Sequence, residues 1–243
     1  MSQALADQVL LLARRSVVRT ARQPANVVFP LVFPLLLLAV NAGGLDSATR
    51  LPGFPTSSFV AFALAVPFIQ GALFATMNTG TDLARDIQTG FLNRLSLTPM
   101  RGTALLAGQL GGVVAMGVVQ ALVYLSVGLA VGVRLESGPL GALGAFAALR
   151  TGSGEAVQGL FPAFFVFLFI SSMNMPRNLI EIDWFRWAAT LNPVSYLIEC
   201  VRSLIITGWD AEALVLGFGI AAAIAAVALT VATMALQTRL TRT

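Results

Sequence analysis

The side chains able to do chemistry lie mostly in two polar stretches. The first spans residues 82–101. There Asp82, Asp86, Gln88, Asn93 and Arg94 alternate with Leu83, Ile87, Phe91, Leu92 and Leu95; Gly90 interrupts the run and Pro99 ends it. This pattern fits a short amphipathic helix that offers charges and an apolar knob to a soluble partner. A helix lying flat on lipid would carry the same pattern. The second stretch, residues 177–210, holds Trp184, Trp187 and Trp209, the three tryptophans of the chain. Asn192-Pro193 divides it into two short helical pieces. Glu199 and Arg202 stand three apart, a spacing that lets them pair on one helix face.

The missing residue types exclude more chemistry than these stretches suggest. There is no His, so a His general base or a His metal site is ruled out. Cys200 is the single cysteine, so no internal disulfide or C-x-x-C pair can form. All 15 basic residues are Arg, and without Lys there is no phosphate-binding G-x-x-x-x-G-K-[ST] loop. ATP-driven work by this chain therefore needs a second protein.

The elements that must position these groups are membrane helices. Hydrophobic residues make up 57% of the 243 residues and charged residues 11%, against about 25% charged in a soluble domain. Mean hydropathy is +0.83 and the pI is near 10.5. The basic residues flank apolar runs, so a membrane surface is a better partner than nucleic acid. A spanning helix needs ~20 mostly apolar residues. Candidates are residues 25–44, 57–80, 104–133, 138–149, 156–176 and 211–236, within a single transmembrane domain of residues 1–243. Pro30, Pro34 and Pro67 fall inside the first two, which requires neighbouring elements to satisfy the freed carbonyls. The fourth candidate is short, roughly 18 Å as a helix against a hydrocarbon core of about 30 Å. It re-enters, crosses with borrowed flanking residues, or lacks part of its helix; the last two are favoured.

Residues 1–24 form an amphipathic helix rather than a secretory signal, because the first apolar span begins only after them. Leu5, Val9, Leu12, Ala13 and Val17 share one side; Arg15, Arg19 and Arg22 share the other. This reads as an interfacial helix whose arginines snorkel to lipid phosphates. With six segments and both termini inside, ten arginines fall inside and five outside. That bias supports cytoplasmic termini.

The order Asp86, Gly90, Arg94, Leu97-Thr98-Pro99, Arg101 resembles the loop between spans two and three of type-2 ABC exporter permeases, the daunorubicin-resistance-like group above all. Residues 191–202, with Asn192-Pro193, Ser195-Tyr196, Glu199 and Arg202, are similar to that family's stretch before the last span. Residues 150–156 resemble its short inner loop before span five.

The resemblance implies an all-α integral membrane fold. It has six spans, an N-terminal interfacial helix, a cytoplasmic coupling helix and two short outer helices, re-entrant or amphipathic. It implies a non-catalytic permease in a bacterial cytoplasmic membrane, working as a dimer with an identical or homologous permease. Two ATPase subunits on separate chains would carry ATP and Mg. The coupling role falls by resemblance on Asp86, Gly90, Arg94 and Pro99, with Asp82, Arg85, Gln88 and Phe91 completing the set. Asn192, Pro193, Tyr196, Glu199 and Arg202 belong to the outer helices.

A transport path at the dimer interface would draw on Gln70 and Asn78 in span two and on Phe161, Phe164 and Phe165 in span five. Each has a competing structural use, as packing glue or as a lipid-facing ring. The Gly108/Gly112 and Gly128/Gly132 spacings allow close helix approach, including a dimer contact. The cargo expected is a hydrophobic or amphipathic drug, lipid or glycolipid. The rival reading is a proton-coupled secondary multidrug carrier, which would want buried acids or His inside the spans.

Overall fold

The computed structural model describes residues 2–91, 102–138 and 161–240. Among them the regular elements are helical: α1 (Ser2–Ala21), α2 (Pro24–Leu45), α3 (Phe59–Ala63), α4 (Ala65–Gln88), α5 (Gly102–Ala130), α6 (Phe161–Phe169), α7 (Asp183–Leu191), α8 (Pro193–Ile206) and α9 (Ala211–Leu240). Short 3-10 turns cover Asp46–Arg50 and Arg177–Leu179. Two stretches among the described residues are long and apolar enough to cross a bilayer, Pro24–Arg50 and Gly111–Ala130. Shorter apolar stretches run over Phe59–Ala75 and Ala211–Val227. Most of the short fourth span and the start of the fifth lie outside the described residues.

Helix α2 shows how sequence dictates packing. Pro24 starts it at a position where a missing N–H costs nothing. Pro30 and Pro34 lie in its interior and are buried. Each removes the N–H that would bond the carbonyl four residues back, leaving Asn26 O and Pro30 O without a helical partner. Both are supplied from neighbouring helices. Asn78 Nδ2 of α4 donates to Asn26 O at 3.0 Å. The Tyr124 hydroxyl of α5 donates to Pro30 O. Gly71 of α4 lets Tyr124 reach that far, since a Cβ there would lie 2.9 Å from the hydroxyl. The two prolines therefore fix the α2–α4–α5 arrangement.

The second span has a break that the sequence reading did not place. Ser58 caps α3, accepting from Ala61 N, and the chain turns at Leu64 before α4. Pro67 then sits in the first turn of α4, where it is tolerated. Around this corner Phe59, Phe62, Leu64 and Phe68 are buried with Tyr124, Leu168 and Ile198. Gly128 admits Leu64 against α5.

The outer pair of helices divides in two. Helix α7 is exposed, with Trp184, Trp187 and Leu191 on its surface. Helix α8 is largely buried, packing on α3, α4, α6 and α9. Gly217 lets α9 close on Cys200. Glu136 and Ser137, beyond α5, donate their backbone N–H groups to Ile205 O and Leu204 O, satisfying the last carbonyls of α8.

The proline–donor pairs make a measurable prediction. Tyr124→Phe leaves Pro30 O unsatisfied in a buried site and destabilises the solubilised protein by about 1–3 kcal/mol. Pro34→Ala in the same chain restores an N–H for that carbonyl, so the double variant melts closer to wild type than Tyr124→Phe alone. Thermal melting in detergent reads both.

Candidate coupling site

Residues 82–88 form the last turns of α4 rather than a separate helix. The expected amphipathic stretch 82–101 is thus continuous with α4 at its start, and its residues 92–101 lie outside the described residues. The helix stops because Gly90 takes φ +68, the left-handed conformation that glycine accepts at a helix end. Thr89 Oγ1 also folds back onto Arg85 O. Gln88 is exposed and Phe91 half-buried. The side chain of Asp82, and all of Arg94 and Pro99, lie outside the described residues.

Asp86 is buried, 3% exposed. Expected as a surface charge, it is instead the centre of an ion-pair cluster. Arg15 of α1 grips it through two bonds, Nη1 to Oδ2 at 3.0 Å and Nη2 to Oδ1 at 2.9 Å. Arg19, one turn further along α1, donates Nη1 to Oδ1 at 2.7 Å. The Arg15 guanidinium also lies over the Phe91 ring, 3.8 Å from its centroid. Burial alone would raise the Asp86 pKa, but hydrogen bonds and charge from Arg15 and Arg19 outweigh it and hold the carboxyl below its ordinary 3.8. Beside the cluster, Arg85 Nη1 reaches Gln23 Oε1 at 3.3 Å, at the α1–α2 junction.

Sequence reasoning assigned Arg15 and Arg19 to lipid phosphates. The structure turns both onto Asp86. The available signal was their i, i+4 spacing, which places two guanidiniums on one helical face, but nothing in the sequence named the acid opposite. The partner surface of α1 also differs from expectation. Leu12, Ala13 and Ser16 pack against Gly108, Gly111 and Gly112 of α5, where any added Cβ would overlap them. The Gly108/Gly112 spacing, which allows close helix approach, is used to seat α1. Helix α1 is thus docked on the bundle along one face and held at Asp86 along another.

The remaining candidates separate. Asn78 is engaged with Asn26 O. Gln70 is buried, and its Oε1 has no hydrogen-bond partner among the described residues. Phe165 stacks edge-on with Phe74, which in turn contacts Phe29 and Phe33, so it belongs to an aromatic cluster between α2, α4 and α6. Phe161 and Phe164 lie in α6, with side chains outside those described.

In the outer helices Asn192 ties two elements together. Its Oδ1 caps α8 by accepting from Val194 N at 2.9 Å, and its Nδ2 donates to Phe167 O and Ile170 O at the end of α6. Pro193 occupies the first turn of α8. Tyr196 donates to Thr190 O at 2.8 Å. The expected Glu199–Arg202 pair does not form. Glu199 takes a two-pronged bond from Arg177, with Nε to Oε1 at 2.8 Å and Nη2 to Oε2 at 2.5 Å. Burial would lower the Arg177 pKa, but Glu199 more than offsets it. Arg202 turns the other way, to Phe62 O at 2.9 Å and to Ser172 O and Met173 O.

Among the described residues the chain is an all-helical, apolar bundle, a fold consistent with a membrane permease. The profile of the ABC-2 type transporter family matches residues 7–206, and the chain belongs to that family. It is similar to the daunorubicin resistance ABC transporter permease protein DrrB1 of Streptomyces coeruleorubidus. The two are 28% identical over 200 residues, covering 73% of this chain and 66% of the relative. The match thus spans just under two thirds of that relative's length. A multi-pass membrane protein follows from the family and the apolar helices together.

The latch has a defined energetic signature. Asp86→Asn and the Arg15→Gln/Arg19→Gln pair each lower stability by about 1–3 kcal/mol, as expected for charge-assisted bonds. Their combination costs clearly less than the sum, because both remove the same contacts. Because the folded pKa of Asp86 lies below 3.8, the contribution is complete above that value. It is lost as pH falls through the lower folded pKa. Melting of wild type minus Asp86→Asn is therefore constant near neutral pH and shrinks only below about pH 4.

Proposed function

We propose that this chain is the membrane subunit of an ATP-driven exporter, powered by a separate ATPase. The cargo is a hydrophobic or amphipathic molecule, a drug, lipid or glycolipid, moved out across a bacterial cytoplasmic membrane. The observation that carries the reading is the Asp86 latch. It sits at the end of α4, within the stretch that resembles a coupling loop, and binds that end rigidly to α1. A force applied by an ATPase at residues 82–101 would move α4 and α1 together. Through the glycine face of α5 it would reach a third helix. The ABC-2 family match and the resistance function in the relative's name support an exporter.

In this reading the working unit pairs the chain with an identical or homologous permease and two ATPase subunits holding ATP and Mg. Six spans place both termini in the cytoplasm. The path lies between permeases, with Gln70, Phe161, Phe164 and Phe165 as candidate lining. Asn78 is the weakest candidate, since its amide is already used. Gln70 is the strongest polar one, since a buried amide oxygen without a partner is costly unless a ligand or water meets it.

The experiment is co-expression with a candidate ABC ATPase, followed by co-purification and export from inverted vesicles. ATP drives export, and a protonophore leaves it unchanged. Arg94→Ala weakens ATPase capture. Arg15→Gln/Arg19→Gln keeps capture but lowers ATP-driven export by about tenfold, equivalent to ~1.4 kcal/mol of lost coupling. Export that ignores ATP and collapses with the proton gradient would replace this reading with a secondary carrier.

A further inference from the structure

At the far end of α4 from Asp86 lies a cavity of about 520 Å³ between α3, α7, α8 and the Arg177–Leu179 turn. Arg177, Asn178, Arg186, Thr190 and Arg202 contribute its polar lining, with Glu199 as the acid among them. Both oxygens of Glu199 are occupied by Arg177. Arg186 is bonded to Asp183 on the exposed side of α7. Arg202 is different. It is 6% exposed, and its hydrogen bonds run from Nε and Nη2 to backbone carbonyls. Its Nη1 makes no hydrogen bond among the described residues. Its charge meets the Phe62 ring at 3.5 Å and no carboxylate oxygen within bonding distance. The charge of Glu199 reaches it at longer range, but both Glu199 oxygens are bonded to Arg177, so the buried guanidinium keeps a demand for an anion.

We propose that this cavity binds the phosphate of a membrane lipid headgroup, with Arg202 as its central cation and Arg186 and Thr190 at its rim. The geometry favours a lipid over a soluble anion because of α7. Trp184, Trp187 and Leu191 are exposed on one face of that helix, the pattern of an element seated at headgroup depth. Arg186 and Thr190, which line the cavity, lie on the neighbouring face. A lipid whose chains run along the tryptophans thus has its phosphate beside Arg202. A guanidinium offers a phosphate paired N–H donors. Closing the cavity around a headgroup would hold α7 to α8 without a direct ion pair between them.

The test titrates the delipidated whole chain in detergent, following bound lipid by native mass spectrometry. The three probes are a short-chain phosphatidylglycerol, a neutral glycolipid with the same chains, and inorganic phosphate. Phosphatidylglycerol binds at least about tenfold tighter than the glycolipid, and inorganic phosphate competes only at about hundredfold higher concentration. Arg186→Gln and Thr190→Val each weaken phosphatidylglycerol severalfold, and Arg202→Gln weakens it more than about tenfold. Where Arg202→Gln fails to fold, the two rim variants decide. Equal binding of the glycolipid, or unchanged affinity in both rim variants, overturns the site. Inorganic phosphate binding as tightly as the lipid overturns the lipid assignment.

Discussion

Inside an apolar bundle no backbone carbonyl can be left without a donor, and α2 breaks that rule twice. Pro30 and Pro34 free two carbonyls one turn apart. Asn78 and Tyr124 restore them from two different helices. Each unsatisfied carbonyl would cost several kcal/mol in hydrocarbon, more than most single packing contacts return. The prolines therefore act as addresses. They state where α4 and α5 must lie against α2, and Gly71 clears the way for the longer of the two donors. Much of the buried aromatic core, Phe59, Phe62, Phe68 and Tyr124, forms around the geometry these bonds set.

From that frame the chain builds two polar ends with opposite logic. At the end of α4 the charges are bonded to one another: one buried carboxylate answers two guanidiniums, with a ring beneath one of them. Such a cluster resists separation because any broken pair leaves a charge in a poorly solvated site. It makes a lever of α1 and α4 rather than a flexible tether. At the other end Glu199 is consumed by Arg177, and Arg202 is left to carbonyl oxygens. There the Arg202 guanidinium is buried near exposed tryptophans with no carboxylate bonded to it. On the proposed reading, the first end would be a stiff connection where an ATPase acts and the second a place where the bundle meets lipid.

Small residues divide the remaining labour. Gly108, Gly111 and Gly112 seat α1, Gly128 admits Leu64, and Gly217 admits α9 against Cys200. Each removes a Cβ where two backbones approach, which is how apolar helices gain dispersion contacts when water supplies no driving force between them.

Composition, apolar run length and the absent residue types sufficed to declare a multi-pass helical membrane protein without an ATP-binding loop. Motif order around the spans sufficed to reach the family. These are one-dimensional properties, counted or spaced along the chain, so they survive without coordinates. The need for donors at Pro30 and Pro34 was equally legible, because proline's missing N–H is a fact of covalent structure. Which side chains would answer was not. Asn78 lies 52 residues from Asn26, and Tyr124 lies 94 from Pro30. The same distance hid the Asp86 latch and the parting of Glu199 from Arg202. Two residues three apart on one helix face can pair, but the preference of Arg177 for Glu199 depends on where a turn 22 residues away is held. Tertiary structure alone decided these pairings, because a charge or a donor chooses among all neighbours in space, and the sequence orders only those along the chain.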